Sequence, residues 1–344
     1  MKATYHQYIL NFKQPSGTSR GILRTKETWF IVLESEGKRG IGECGILRGL
    51  SADDCPDYQQ QLQWTCNNIE LGLEVLLEKN GEFPSIQFGL EMAFRSLAST
   101  SPFLLFETNF TKGTDAISIN GLIWMGNEAF MKQQIVAKIE AGFGCIKMKI
   151  GAIDFDTEIS LLQSIRKEFS SKDIELRVDA NGAFTPEEAL EKLKRLSDLD
   201  LHSIEQPIKP GQFEEMAALC EKTPLPIALD EELIGVYDSK ERAKLLDEIK
   251  PQFIILKPSF IGGYHGSEEW IKMAEERQMG WWVTSALESN VGLNAIAQWT
   301  YTLNQDLPQG LGTGSLFTNN IESPLEVKKG ALHYNNTLHW NFNL

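Results

Sequence analysis

Five charged residues recur at nearly even intervals through the middle of the chain. Lys149, Asp179, Glu205, Asp230 and Lys257 are separated by 30, 26, 25 and 27 residues, and each sits at the end of a short apolar run. Those intervals match one β-strand plus its return helix. Were the strands parallel and closed into a barrel, all five side chains would meet at the rim formed by the strands' carboxyl ends, where barrel active sites lie.

Asp179, Glu205 and Asp230 offer hard oxygen donors from three neighbouring strands, with nothing soft beside them. That donor set favours magnesium, with manganese as its substitute. Lysine as a general base needs its ammonium destabilised. Lys147, two residues from Lys149, together with Lys257 across the mouth and a bound cation, would do this by like-charge repulsion. Lys149 could then take a proton from the carbon next to a carboxylate, with the metal stabilising the enediolate and Lys257 adding its charge or a second proton transfer. The alternative is a buried salt-bridge network in which the same acids pair with Lys147, Lys149, Arg177 and Lys257.

The elements that must position these residues follow from apolar patterning. From about residue 115 onward, short apolar strands alternate with amphipathic helices, the pattern of a parallel sheet with helices outside it. The strands are expected at residues 116–120, 145–150, 175–181, 203–206, 226–231, 252–258, 280–286 and 310–316. Eight strands close a barrel. Period-two alternation turns Ile146, Met148, Ile150, Val178 and Ala180 towards the helices, and Lys147, Lys149, Arg177, Asp179 and Asn181 inward. The helix start at Thr185 carries a capping signal, with Pro186 and then Glu187 and Glu188.

The first third has a different texture. Residues 27–37 and 38–44 read as a hairpin, and residues 55–79 and 86–98 as helical stretches, giving a small α+β unit over residues 1–114. The barrel is expected over 115–318. Strand-like pieces at 331–334 and 337–342 come too late for it, so the segment 319–344 is expected to return to the first unit.

At 344 residues, with 42% hydrophobic and 23% charged residues, the chain suits folded globular structure. The net charge of −14 opposes nucleic acid as a partner. No apolar run reaches membrane-spanning length and the first twelve residues have no signal-peptide core, so a cytoplasmic location with no membrane partner is expected. Five scattered cysteines without Cys-x-x-Cys spacing suggest reduced thiols. Oligomeric state is not encoded in any feature read.

The ordered set Lys147-Met148-Lys149, Asp179, Glu205, Asp230, Lys257 resembles the muconate-lactonizing subgroup of the enolase superfamily. That resemblance spans essentially the whole chain and implies a (β/α)7β TIM-like barrel with an α+β capping domain. Within the subgroup, residues 285–290 (Ser-Ala-Leu-Glu-Ser-Asn) and 312–317 (Gly-Thr-Gly-Ser-Leu-Phe) are similar to the o-succinylbenzoate synthase family. Dipeptide epimerases usually carry Asp-x-Asp at the eighth strand to hold an ammonium, whereas this chain has uncharged Gly312, Thr313, Gly314 and Ser315.

The resemblance implies a hydro-lyase of menaquinone biosynthesis that acts on a small carboxylate, 2-succinyl-6-hydroxy-2,4-cyclohexadiene-1-carboxylate. Lys149 would remove the α-proton and return it to the departing hydroxyl, Lys257 would stand opposite as a cation, and Lys147 would sit beside them. Arg177 would support Lys149, or equally pair with Asp179 or Glu205. Asn181, Glu231, Ser285, Glu288, Gly312 and Thr313 are the supporting or substrate-binding candidates. Residues 42–46 with the following 47–51 form a candidate specificity loop, and residues 18–21 a second. An N-acylamino acid racemase would use the same two lysines as opposed bases. A Schiff-base aldolase would use one of them as a nucleophile without a metal, and a non-catalytic barrel would need neither.

Overall fold

The computed structural model describes residues 1–18 and 21–343. The candidate loop at 18–21 thus includes two residues, Ser19 and Arg20, that lie outside the described residues. The chain opens with three antiparallel strands in the order β1 (Lys2–Thr18), β2 (Gly21–Ser35) and β3 (Lys38–Cys44). Glu36 (φ 51°) and Gly37 (φ 75°) supply the paired left-handed conformations that a tight hairpin between β2 and β3 requires.

Residues 29–33 read as an unbroken apolar run because β2 is covered on both faces. Trp29, Ile31 and Leu33 pack with residues of α1 (Tyr58–Asn67), α2 (Leu73–Lys79) and α3 (Pro84–Ala98), while Phe30 joins the core shared with the barrel. The helix α3 lies directly on β3: a Cβ at Gly42 would fall 1.9 Å from the carbonyl oxygen of Gly89. The helical stretch expected over 55–79 is interrupted by a 3-10 turn at Ile69–Leu71 and by Gly72 (φ 82°), a conformation that ends a helix at little cost for glycine alone.

The larger part alternates strand and helix: β5 (Gly121–Ile123), α4 (Glu128–Glu140), β6 (Cys145–Lys149), α5 (Phe155–Glu168), β7 (Glu175–Asp179), α6 (Pro186–Ser197), β8 (Ser203–Glu205), α7 (Phe213–Lys222), β9 (Ile227–Leu229), α8 (Ser239–Ile249), β10 (Phe253–Leu256), α9 (Pro258–Ile261), α10 (Gly263–Glu276), β11 (Gly280–Val283) and α11 (Asn290–Thr302). β5 to β11 form one seven-stranded parallel sheet in chain order. Parallel bridges from Thr284 to Gly310 and from Ile119 to Gln309 place residues 309 and 310 between its two edges. They occupy the eighth position.

The first and eighth strands depart from expectation. Ala116–Ser118 (β4) leaves the barrel and pairs with β13 (Ala331–Tyr334), which in turn pairs with β12 (Leu325–Lys328). The first barrel strand is instead β5. The glycine-rich segment 310–316 pairs only through bridges, since residues without side chains contribute little to a ladder.

Alternation along β6 and β7 matches the sequence reading. Ile146, Met148, Ile150, Val178 and Ala180 are fully buried against the outer helices, whose facing residues include Leu162 and Leu193. At α6 the carboxylate of Glu188 accepts the N–H of Thr185 at 3.1 Å, one half of the capping box. No helix among the described residues is long and apolar enough to cross a membrane.

The end of the chain runs back over the first strands. Lys13 donates its N–H to the carbonyl of Leu316 at 2.8 Å, the Tyr8 hydroxyl donates to the carbonyl of Asn319 at 2.7 Å, and Phe342 meets Phe30 edge-on at 5.3 Å. Trp340 stacks on Phe103 at 4.1 Å. Residues 337–342 form no regular strand.

Candidate active site

β6 and β10 are separated by β7, β8 and β9, half the circumference of an eight-position barrel, so the last residue of β6 and the residue after β10 face each other across the mouth. These are Lys149 and Lys257, and both line a cavity of about 460 Å³ at the rim. Parallel register sets Lys149 beside Asp179 and Asp179 beside Glu205. Asp230 follows β9 directly.

Each lysine is drawn to an acid. Lys149 Nζ donates to Asp179 Oδ2 at 2.9 Å and to Asn181 Oδ1 at 2.5 Å. Lys147 bridges Asp179, at 3.2 Å, and Glu205, and Lys257 pairs with Asp230. Burial opposes the charge on Lys147 and Lys257. Asp179 and Glu205 more than offset it for the first, and Asp230 and Glu205 for the second, so both hold their protons above the ordinary lysine range. This attraction is the one expected of the alternative salt-bridge network, and for Lys147 and Lys257 it outweighs the lysine–lysine repulsion.

The acids themselves are frustrated. Asp179 is buried, yet Lys147 and Lys149 hold its carboxyl well below the usual range. Burial and the neighbouring Asp179 charge push Glu205 up to about 8, only partly relieved by Lys147. Glu205 Oε1 is buried with no hydrogen-bond partner among the described residues. As they stand, the described residues contain no three carboxylate, histidine or cysteine groups converged closely enough to hold a metal, each acid being turned to its lysine. The donor set nevertheless fits a hard divalent cation: three acids from adjacent strand ends, one with an orphaned buried oxygen.

Around the charges the wall is largely apolar, with Leu23, Leu47 and Leu50 from the first domain and Trp124, Phe260 and Leu287 from the barrel. Leu23, Trp124 and Phe260 were not singled out from sequence, because single apolar residues there read as ordinary core. Leu47 and Leu50 do lie in the candidate specificity loop, whereas Ile46 and Cys44 are buried in the core of the first domain. Gln134 and Lys138 of α4 also line the cavity, so a lysine away from the strand ends reaches this wall.

The supporting candidates divide. Asn181, in the left-handed conformation at φ 44°, accepts from Lys149 and donates its Nδ2 to Glu231 Oε1 at 3.0 Å; both residues line the cavity. Ser285, Gly312 and Thr313 line it as well, with the two hydroxyls 2.6 Å apart. Glu288 does not line it: fully buried behind the wall, it accepts from Ser259 and from the N–H of Ala286.

Arg177 also departs from expectation. Two residues before Asp179, it sits deeper in the barrel, where it donates to Glu175 at 2.7 Å and to the carbonyl of Pro308 at 2.9 Å and lies 4.3 Å over Trp282. It bonds neither Lys149 nor the three acids.

A parallel barrel with an α+β cap, three acids on consecutive strand ends and two lysines facing across them is the arrangement of the enolase superfamily. Comparison with known proteins agrees. Residues 131–337 match the model of the enolase C-terminal domain-like family, and residues 1–97 match the MenC N-terminal domain. The chain is 47% identical to an o-succinylbenzoate synthase from Desulfotalea psychrophila, over 96% of this chain and 98% of that one. The crystal structure of MenC from the same organism superposes with a TM-score of 0.86 at 44% identity, covering 97% of this chain and 99% of its own. A muconate lactonizing enzyme from Pseudomonas fluorescens shares the fold, with a TM-score of 0.84 at 20% identity over 99% and 96% of the two chains. The chain belongs to the enolase superfamily and, within it, to the o-succinylbenzoate synthase family.

Proposed function

We propose that this chain dehydrates 2-succinyl-6-hydroxy-2,4-cyclohexadiene-1-carboxylate to 2-succinylbenzoate, a step of menaquinone biosynthesis. The observation that carries the reading is the match over nearly the full chain to an o-succinylbenzoate synthase, in a chain whose two facing lysines open onto a largely apolar cavity. Such a wall suits a hydrocarbon ring. At the eighth-strand end it presents Gly310, Gly312, Thr313 and Ser315, none of them charged.

Lys149 takes the proton from C1 and returns it to the hydroxyl leaving C6, so that water departs and the C1–C6 double bond completes the aromatic ring. Asn181, itself held by Glu231, fixes the direction in which Lys149 points. Lys257, retained as an ammonium by its buried acidic surroundings, offers positive charge from the opposite side. Lys147 keeps the acids in place from below. A divalent cation on Asp179, Glu205 and Asp230 would neutralise the substrate carboxylate and the charge that grows on it, and would draw those acids away from the lysines. Magnesium is the reading for that cation, with manganese as its substitute; a dipeptide epimerase of related fold from Enterococcus faecalis was crystallised with Mg. Ser285, Gly312 and Thr313, which line the cavity, would meet the succinyl group.

The reading includes a cytoplasmic location, no nucleic-acid or membrane partner, and domain limits near residues 114 and 318. A second reading has its own support, since two facing lysines also suit epimerisation and an L-Ala-D/L-Glu epimerase from Bacillus subtilis is 29% identical over 56% of this chain. The decisive experiment supplies purified protein and magnesium with either the cyclohexadiene substrate or N-succinylamino acids in deuterated water. Formation of 2-succinylbenzoate is expected. Deuterium exchange without any dehydration overturns the proposal.

A further inference from the structure

Behind the cavity wall, the cap and the barrel share a closed cluster of charged side chains. Lys26 on β2, Glu43 on β3 and Glu288 after β11 are 2%, 0% and 0% exposed. Glu43 belongs to the cap but serves the barrel. Its Oε1 accepts the N–H of Ser289 at 2.8 Å and the Thr28 hydroxyl at 2.8 Å, and its Oε2 accepts the Ser289 hydroxyl at 2.5 Å and the N–H of Gly292 at 2.7 Å. Apart from the Thr28 hydroxyl of β2, these are donors of the N-cap and first turn of α11, a helix end capped from another domain.

Glu288 ties two strand ends together. Its Oε1 accepts the Ser259 hydroxyl at 2.5 Å and its Oε2 the N–H of Ala286 at 2.7 Å. Ser259 lies in the short helix α9 that Lys257 opens, and Ala286 lines the cavity. Lys26 Nζ makes no hydrogen bond among the described residues. It is the basic member of the cluster: burial lowers its pKa overall, and attraction to Glu288 and then Glu43 opposes that. Gly45, on the cap loop, closes the cluster: a Cβ there would lie 3.2 Å from Lys26 Nζ, 3.2 Å from Glu288 Cγ and 3.3 Å from Ser259 Oγ.

Two buried carboxylates without a cation would repel each other and demand protons. We propose that Lys26 is a positioning residue: from the cap, through Glu288, it fixes the Lys257–Ser259 turn and the seventh-strand end, so that docking of the cap and placement of Lys257 are one event. The catalytic consequence rests on the role given to Lys257 above; the mechanical one does not.

The test compares wild type, Lys26→Met and Lys26→Met/Glu288→Gln by kinetics and by hydrogen exchange of peptides spanning residues 257–262 and 285–292. The double variant keeps the net charge of the cluster, which safeguards folding, but presents one acceptor oxygen where the carboxylate presents two. For whichever variants fold, kcat is expected to fall at least tenfold with KM within threefold, and both peptides to exchange faster. Wild-type kcat in a folded variant overturns the proposal. If wild type itself dehydrates nothing, the proposed reaction falls, and exchange alone decides: unchanged protection in both peptides overturns the positioning role.

Discussion

Asn181 Oδ1 lies 2.5 Å from Lys149 Nζ, and the same amide donates to Glu231 from its other end. A short amide with a left-handed backbone therefore sets the direction of the base. Asn181→Ala leaves Lys149 with Asp179 alone. The expected outcome is a kcat lower by about tenfold to a hundredfold with KM little changed, as for a misaligned catalytic group. Steady-state kinetics on the folded variant checks this, and an unchanged kcat refutes it.

The two lysines are not equivalent. Lys149→Met removes the proton carrier, for which a loss of roughly 10²–10⁴ in kcat is typical. Lys257→Met removes a fixed charge, and a loss of roughly 10²–10³ is expected. A deeper loss in the Lys257 variant would reverse the assignment.

Chelation is expected to abolish turnover, and added magnesium to restore it. Ligation needs the carboxylate form, yet burial and Asp179 hold Glu205 protonated up to about pH 8 in the metal-free protein. Magnesium added at pH 7 should therefore displace about one proton, and the release should shrink as the pH rises past 8. Calorimetry in two buffers of different ionisation enthalpy reads this directly. Equal heats in both buffers would show Glu205 already ionised before the metal binds and refute its raised pKa.

Asp53 gives a test of stability alone. Burial pushes its carboxyl from 3.8 up to about 6, although the Ser85 hydroxyl and N–H both donate to it. A folded-state pKa above the unfolded one means that the native state binds more protons between those values. The stability this group contributes is therefore complete below about pH 4 and lost as the pH rises through 6. Asp53→Asn escapes that loss. Relative to wild type, the variant should gain on the order of 2–3 kcal/mol between pH 4 and pH 8. Urea midpoints measure it, and a gain in the opposite pH direction disproves the assignment.

The rim was legible in the sequence because charge recurred with the period of a strand–helix unit, and because alternation separated Lys147 and Lys149 from Ile146 and Met148. Depth was not. An inward charge reads alike at the rim and at the floor, and Arg177 is one strand repeat too low to meet Lys149, a step of roughly 6.6 Å. Glu288 sits in a rim motif yet faces the cap, since its partner Lys26 lies far away in sequence and no local pattern links them. The eighth strand was misplaced where Gly310 and Gly312 weaken pairing, and the first where Ala116–Ser118 pairs with β13 outside the barrel. Of the cavity wall, Leu23, Trp124 and Phe260 had no signal at all.

The return of the chain end to β1 also fixes an order of events. Lys13 and Tyr8 are made first, but their partners Leu316 and Asn319 follow the barrel strands in the chain, and Phe342, which meets Phe30, comes later still. During synthesis the N-terminal strand must therefore wait, its outer edge unpaired, until nearly the whole barrel has left the ribosome. A nascent chain stalled before residue 316 has a cap without its clasp. The segment from Leu316 to Phe342 is what ends that exposure.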